Sequence, residues 1–330
     1  MGIIKLKNRV CVSTVASVAG RKEYDGCFGD RFDEYGKDDT FGQKTFEDAE
    51  AEMQRRCFAH ALRKGGFAEG DIDAIFAGDL LNQCTASSYG LLKYDIPYLG
   101  LFGACSTMAE AVLLAALTVD GGYFRRAAAA VSSHNCTAER QFRMPIEYGG
   151  QRTPTAQWTV TGAGCAVIDG GASGMYIKEV MPGRTVDLGV KDAANMGAAM
   201  APAAADTLER YFAGSGKKPS DIDVILTGDL GSEGHSILTE LLSMDGYDTA
   251  ASHLDCGMLL YKPEQDVHSG GSGCACSALG LAVYLYDRFM KKEIKNALFV
   301  GTGALMSPMA VAQGHSIPGV AHLIYFSSEV

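Results

Sequence analysis

The sequence predicts an α/β protein made of two similar halves, and two observations carry this. The stretch "GDIDAIFAGDL" at 70–80 returns as "SDIDVILTGDL" at 220–230, so Asp71, Ile72, Asp73, Ile75, Gly78, Asp79 and Leu80 recur as Asp221, Ile222, Asp223, Ile225, Gly228, Asp229 and Leu230. In the same order, "GACS" at 103–106 and "CACS" at 274–277 each open a helix. Agreement in identity and order marks an internal duplication. Strands alternating with helices imply parallel sheets covered on both faces.

The elements follow in chain order. Residues 46–64 read as a helix ending at Gly65-Gly66, which feeds "DID", a short apolar strand and "GDL". After the crossover comes the helix behind "GACS", then the buried strand "AAAAVSSH" at 127–134. In the second half, 202–213 reads as a helix, with Pro202 suited to its first turn and Gly214 to its end. It feeds "DID" and "GDL" again, then the "CACS" helix and the strand "NALFVGTG" at 296–303. The halves are therefore 1–175, carrying a lid loop at about 136–160, and 176–330. Ligands of such folds sit at the carboxyl ends of strands, so a site is expected where the loops of both halves meet.

Bulk composition narrows the function. The 330 residues are 47% hydrophobic, enough for a sizeable core. Lys and Arg total 29 against 39 for Asp and Glu, a net charge of −10. With no basic cluster, nucleic acid is not an expected partner. The start "MGIIKLKNRVCVSTVA" lacks the pattern of a signal peptide, and Leu6 breaks the myristoylation pattern. The longest apolar stretch, Met108 to Val119, contains Glu110 and is too short to cross a bilayer. No exported or membrane-integral protein is expected, while peripheral attachment through a partner stays open. The ten cysteines, without a secretory context, read as reduced thiols.

Candidate site residues gather at the strand ends. Cys105 stands where a helix N-terminus lowers a thiol pKa and makes a nucleophile. The same place also makes an anion site with no chemistry, with Ser106 beside it. His134, ending a strand in "SSHN", fits a base, an anion-binding cation or a hydrogen-bonded core histidine. Asp79 is either a ligand contact or a turn-former and helix cap, as its repeat partner Asp229 also reads. Asn82 and Gln83 offer neutral hydrogen bonds. Ser272 and Gly273 belong to a glycine-rich run that reads as a nest of backbone N–H groups. His268, Cys274 and Cys276 lack the paired spacing of a zinc site, so no metal centre is expected. Residues 136–160 carry Arg140, Arg143 and Arg152 near Tyr148 and the single tryptophan, Trp158. Arginine forks in a long loop suit either a lid over a carboxylate ligand or a dimer interface.

These motifs together resemble the stage V sporulation protein AD family of spore-forming bacteria. The matching stretches are "AGDLLNQ", "LGLFGACSTM", "SSHN", "AERQFR", "EYGGQ", "WTVTGAG", "MGAAMAPAAADT", "TGDLG", "GGSGCACSA" and "TGALMSP", in one order from about residue 45 to the C-terminus. The resemblance implies a thiolase-like, five-layered α/β/α/β/α fold. It implies non-catalytic binding of dipicolinic acid (pyridine-2,6-dicarboxylate), with or without calcium, for uptake into the developing spore. Membrane-embedded proteins of the same operon would be partners, the location would be the cytoplasm or forespore with peripheral association at the spore inner membrane, and a homodimer would form. No cofactor is implied. Asp79, Gln83, Cys105, Ser106, His134, Ser272 and Gly273 would line the ligand site.

The sequence departs from the condensing enzymes of the thiolase fold. Those need a nucleophilic Cys, a His in a His-x-x-Gly-x-Ser-Gly-like turn, and a further His, Asn or Cys. Cys105 matches the first. The turn from His268 to Gly273 is one residue short of the second, and "GTGALMSP" offers neither His nor Cys. Binding is therefore the leading expectation. An acyltransferase or condensing enzyme using a Cys105 acyl intermediate and His268 is the alternative, and a scaffold with a vestigial pocket is the third reading.

Overall fold

The structure is a computed structural model describing residues 2–142 and 151–330. In the first half the principal strands are β1 (Cys11–Ala19), β2 (Ala74–Gly78), β3 (Tyr98–Gly100), β4 (Arg126–Ser133), β5 (Trp158–Thr159) and β6 (Gly162–Asp169). The second half holds β7 (Tyr176–Met181), β8 (Val224–Thr227), β9 (His253–Asp255), β10 (Gly271–Ser272), β11 (Asn296–Ala304) and β12 (Gly319–Ser327). The principal helices are α1 (Phe46–Gly65), α2 (Thr107–Asp120), α3 (Asn135–Phe142), α4 (Met196–Ser215), α5 (Gly231–Met244) and α6 (Cys274–Gly280).

The duplication is plain in the sheet. Strand order is β3-β2-β4-β6-β1 in one half and β9-β8-β11-β12-β7 in the other. The two sets meet where β1 and β7 share one register pair, Cys11 with Tyr176. The sheets are mixed rather than parallel. β2 runs parallel to β3 and β4, as β8 does to β9 and β11, but β6 and β12 are antiparallel to both of their neighbours. Between β11 and β12 the connection carries only a five-residue helix, and an antiparallel return needs no crossover.

Helix α1 covers the outer face of the first sheet and α4 that of the second, while α2 and α6 lie between the sheets. The central layer is shared crosswise. A Cβ on Gly301 of β11 would lie 2.4 Å from Ala109 of α2, and one on Gly164 of β6 would lie 2.5 Å from Ala278 of α6. Each half's central helix thus packs closely on the other half's sheet. The buried strands divide their side chains with period two. Ala127, Ala129 and Val131 join the central core, whereas Ala128 and Ala130 pack toward α1.

Capping fixes the helix starts. Thr45 accepts from Asp48 N at 3.1 Å at the start of α1, and Gly66 closes it in the left-handed region with φ 67°. In the second half the expected helix over 202–213 is longer at both ends. Asn195 caps it, accepting from Ala198 N at 3.2 Å, and it runs to Ser215, closed by Gly216. Pro202 lies inside it, not in its first turn. The buried face of Ala199, Met200 and Ala201 makes the extra turn worth forming despite the hydrogen bond that proline forgoes.

Candidate functional site

A cavity of about 220 Å³ opens at the seam of the halves. The first half supplies Leu80, Phe102, Cys105, Phe142, Arg152 and Thr159, and the second supplies Ala193, Met196, Ser272, Ala304 and Met306. Its walls are largely apolar, with few polar groups, as small-molecule sites are.

Cys105 forms the floor. It lies two residues before α2, after Ala104, whose backbone is left-handed with φ 50°. Ser106 Oγ donates to Gly103 O at 2.6 Å, and Thr107 Oγ1 donates to Ala104 O at 2.6 Å, which tightens the turn. Gly303 of β11 must be glycine here, because a Cβ would lie 2.5 Å from Gly103 O. The Cys105 sulfur faces Ser272 Oγ at 3.7 Å.

Behind that pair stands Asp229, fully buried. Its carboxylate accepts from Ser272 Oγ at 3.0 Å, Gly273 N at 2.9 Å and Thr302 Oγ1 at 2.8 Å. Gln157 Nε2 donates to its main-chain oxygen at 2.7 Å, tying the strand end to β5. Burial raises the Asp229 carboxyl to about 6, against three hydrogen bonds that favour its ionised form. The same surroundings decide Cys105. Burial, and then the Asp229 carboxylate, push its thiol well above the ordinary cysteine value. The lowered pKa expected from a helix N-terminus is therefore corrected: desolvation and a facing carboxylate outweigh the helix dipole.

The expected contacts do not all converge. Cys105 and Ser272 line the cavity; Asp79, Gln83, Ser106, His134, His268 and Gly273 do not. Asp79 takes Leu81 N, Ser87 N and Ser87 Oγ, all within 2.8 Å, so it fastens its own turn. Gln83 is exposed, with φ 58°. His134 is buried, its Nδ1 accepting from Cys136 N at 3.1 Å and its Nε2 donating to Asp39 O at 2.7 Å. Burial lowers its pKa, and that pairing fixes one neutral tautomer. His268 turns to Thr153 O at 2.6 Å and to Asp266 at 3.2 Å. Arg140 meets Glu47 at 3.4 Å. Arg143 and Tyr148 lie outside the described residues. Among the described residues, no three His, Cys, Asp or Glu side chains converge to hold a metal ion.

Arg152 is different. Its Nη2 donates to Asp266 O at 2.6 Å, and its guanidinium lies 4.9 Å from the centre of the Trp158 ring. Its Nη1 is buried with no hydrogen-bond partner among the described residues, on a residue that lines the cavity. Sequence reasoning named Arg152 only as one of three lid arginines, and it treated Asp229 as a cap. The available signal for Asp229 was that its turn lacks a serine corresponding to Ser87, leaving its carboxylate free to look elsewhere.

Comparisons with known proteins agree with this architecture. A family model described as Stage V sporulation protein AD (SpoVAD) matches residues 2–327. The chain is 44% identical over 317 residues to Stage V sporulation protein AD of Bacillus subtilis (strain 168), covering 96% of this chain and 94% of that protein. Among solved structures it is similar to an acetyl-CoA acetyltransferase from Syntrophomonas wolfei, with TM-score 0.60 and 11% identity over 98% of this chain and 100% of that one. It is also similar to 3-oxoacyl-[acyl-carrier-protein] synthase III from Aquifex aeolicus VF5, with TM-score 0.57 and 11% identity over 96% and 99%. At that identity the likeness shows a thiolase-like fold.

Proposed function

The chain belongs to the stage V sporulation protein AD family, a family of sporulation proteins, and from that premise we propose that the seam cavity binds dipicolinic acid without chemical conversion. One observation carries the reading: an apolar-walled cavity at the seam with Arg152 among its lining residues, its buried Nη1 without a hydrogen-bond partner among the described residues. A flat aromatic dianion suits both. Its ring packs against Phe102, Phe142, Met196 and Met306, and one carboxylate takes the arginine in a charge-assisted bond. The ligand is taken up into the developing spore, with or without calcium, by an assembly at the inner membrane that includes membrane-embedded proteins. No helix among the described residues is long and apolar enough to cross a membrane, so the anchoring falls to those partners. Two copies pair through β3, the sheet-edge strand, where Leu99 and nearby Phe102 are 42% and 49% exposed.

The absence of conversion is supported by Cys105, whose thiol is pushed up, and by His268, which faces Thr153 and Asp266. The second reading, acyl transfer through Cys105, is favoured by its place on the cavity floor in a fold shared with condensing enzymes.

Calorimetric titration with dipicolinate, comparing the wild-type chain with Arg152→Gln, tests the proposal. Saturable binding weakened about 10- to 100-fold by the substitution is expected, the scale of a hydrogen bond to a charged group. Unaltered binding in Arg152→Gln would remove the carrying observation. A mass increase at Cys105 on incubation with acyl-CoA would move the enzyme reading to the front.

A further inference from the structure

The donors best placed to hold an anion at the cavity floor are already occupied. Ser272 Oγ, Gly273 N and Thr302 Oγ1 all donate to Asp229, so the protein's own carboxylate fills its anion nest. Among the described residues no cation pairs with it. A ligand carboxylate set against Ser272 and Cys105 meets a second negative charge behind the same hydroxyl, in a site that screens poorly.

Resting on the reading of this cavity as a dicarboxylate site, we infer that binding is coupled to protonation of Asp229. One proton passes from solvent to Oδ2, and the new O–H donates to Ser272 Oγ. The Ser272 hydroxyl then turns its own hydrogen toward the ligand carboxylate, while Gly273 N and Thr302 Oγ1 keep accepting oxygens on Asp229. No other covalent bond changes, and release returns the proton.

Burial raises two carboxyls here, Asp229 and Asp255, and Asp229 is the one bonded to Ser272 of the cavity wall. Cys105 comes from the turn before α2, Cys256 from just after β9, and Cys274 and Cys276 from α6. Burial holds all four thiols above the ordinary cysteine value, and hence neutral. Asp255 of β9 is a carboxyl that accepts from Thr227 Oγ1, Leu230 N and Gly231 N, and its charge raises Asp229. Thr302 and Gln157 are uncharged. Among the described residues, Arg152 and Glu139 are the charged groups of the cavity wall.

The test is calorimetry with dipicolinate at pH 6, 7 and 8, each in two buffers of different ionisation heat, which reads protons taken up per ligand bound. The wild-type chain is expected to take up close to one proton at pH 8 and to lose about tenfold in affinity from pH 7 to 8. Asp229→Asn, whose amide donates to Ser272 Oγ without a proton from solvent, is expected to show almost no uptake and a nearly flat profile. Thr302→Val removes a donor to the ionised form without touching the cavity, and is expected to move the break in the profile to higher pH. Wild-type binding with no uptake and equal affinity at pH 6 and 8 overturns the coupling and leaves the dicarboxylate site standing. An unchanged slope in Asp229→Asn overturns the assignment to Asp229. If that variant does not fold, an unmoved break in Thr302→Val does the same. No binding at any pH overturns both readings.

Discussion

The two "GDL" turns begin from the same sequence and end with different tasks. In the first half, Asp79 turns back on its own chain and takes Leu81 N, Ser87 N and Ser87 Oγ. In the second, Asp255 does that local work, taking Leu230 N and Gly231 N. Asp229 is thereby released to reach Ser272, Gly273 and Thr302, 43 to 73 residues further along the chain. Duplication placed a carboxylate at the same strand end twice, and the neighbours decided which became a fastening and which became the floor of a site.

The largest effects come from the feature the halves share. Gly164→Val and Gly301→Val each force side-chain atoms into a helix already in contact, at Ala278 and Ala109 respectively. Each is expected to lower stability by about 3 kcal/mol, the upper range for overpacking, read by denaturant unfolding. A large loss in one and none in the other would break the crosswise symmetry of the central layer.

Asp79→Asn sharpens the contrast between the turns. An amide presents N–H to Ser87 N–H, setting donor against donor in a buried place. A loss of roughly 2 kcal/mol is expected, with affinity for dipicolinate changed less than about threefold. Relief of repulsion with Glu50 returns part of that loss. A loss of binding without a loss of stability would make Asp79 a ligand contact after all.

Buried acids on both sides of the seam give the next effect. Burial holds Glu50 above the ordinary glutamate range, Glu23 at about 7 and Asp229 at about 6. Each carboxyl keeps its proton to a higher pH when folded than when unfolded. These carboxyls therefore hold more protons in the folded chain and make stability fall as pH rises from about 6 to 8, whereas His134, His253 and His322, whose pKa values burial lowers, act in the opposite sense mainly below that window. The Tm is expected to be on the order of 5 °C higher at pH 6 than at pH 8. Glu50→Gln is expected to flatten the slope, and a Tm that rises over that interval would contradict the assignment.

The smallest effect compares the cysteines of the two helix openings. Cys105 and its repeat partner Cys276 are both buried, and Cys27 is exposed. Alkylation followed by peptide mass spectrometry is expected to label Cys27 first, with Cys105 at least about tenfold slower at neutral pH, since the thiolate is the reacting form. Asp229→Asn is expected to speed Cys105 more than Cys276, because the Asp229 carboxylate raises both thiols but Cys105 alone of the two lines the cavity that admits the reagent. Equal rates at Cys105 in both proteins would separate its pKa from that carboxylate.

The sequence by itself determined the duplication and the strand ends. The apolar run at 127–131 and the glycines that end the first helix at Gly65-Gly66 are local patterns, and local patterns survive without the rest of the chain. It also marked Cys105, Ser272 and a lid arginine as belonging together. Only the tertiary structure decided which way the side chains look. Left-handed backbone at Ala104 and His268 aims the neighbouring groups, sending His268 to Thr153 rather than into the cavity. His134 ends its strand as expected but is taken by Asp39 O from a loop 95 residues away. Asp229 is read as a helix cap until β10 and β11 bring Ser272 and Thr302 against it. The ionisation of a buried group depends on desolvation and on partners distant in sequence, and both exist only once the two halves have closed on each other.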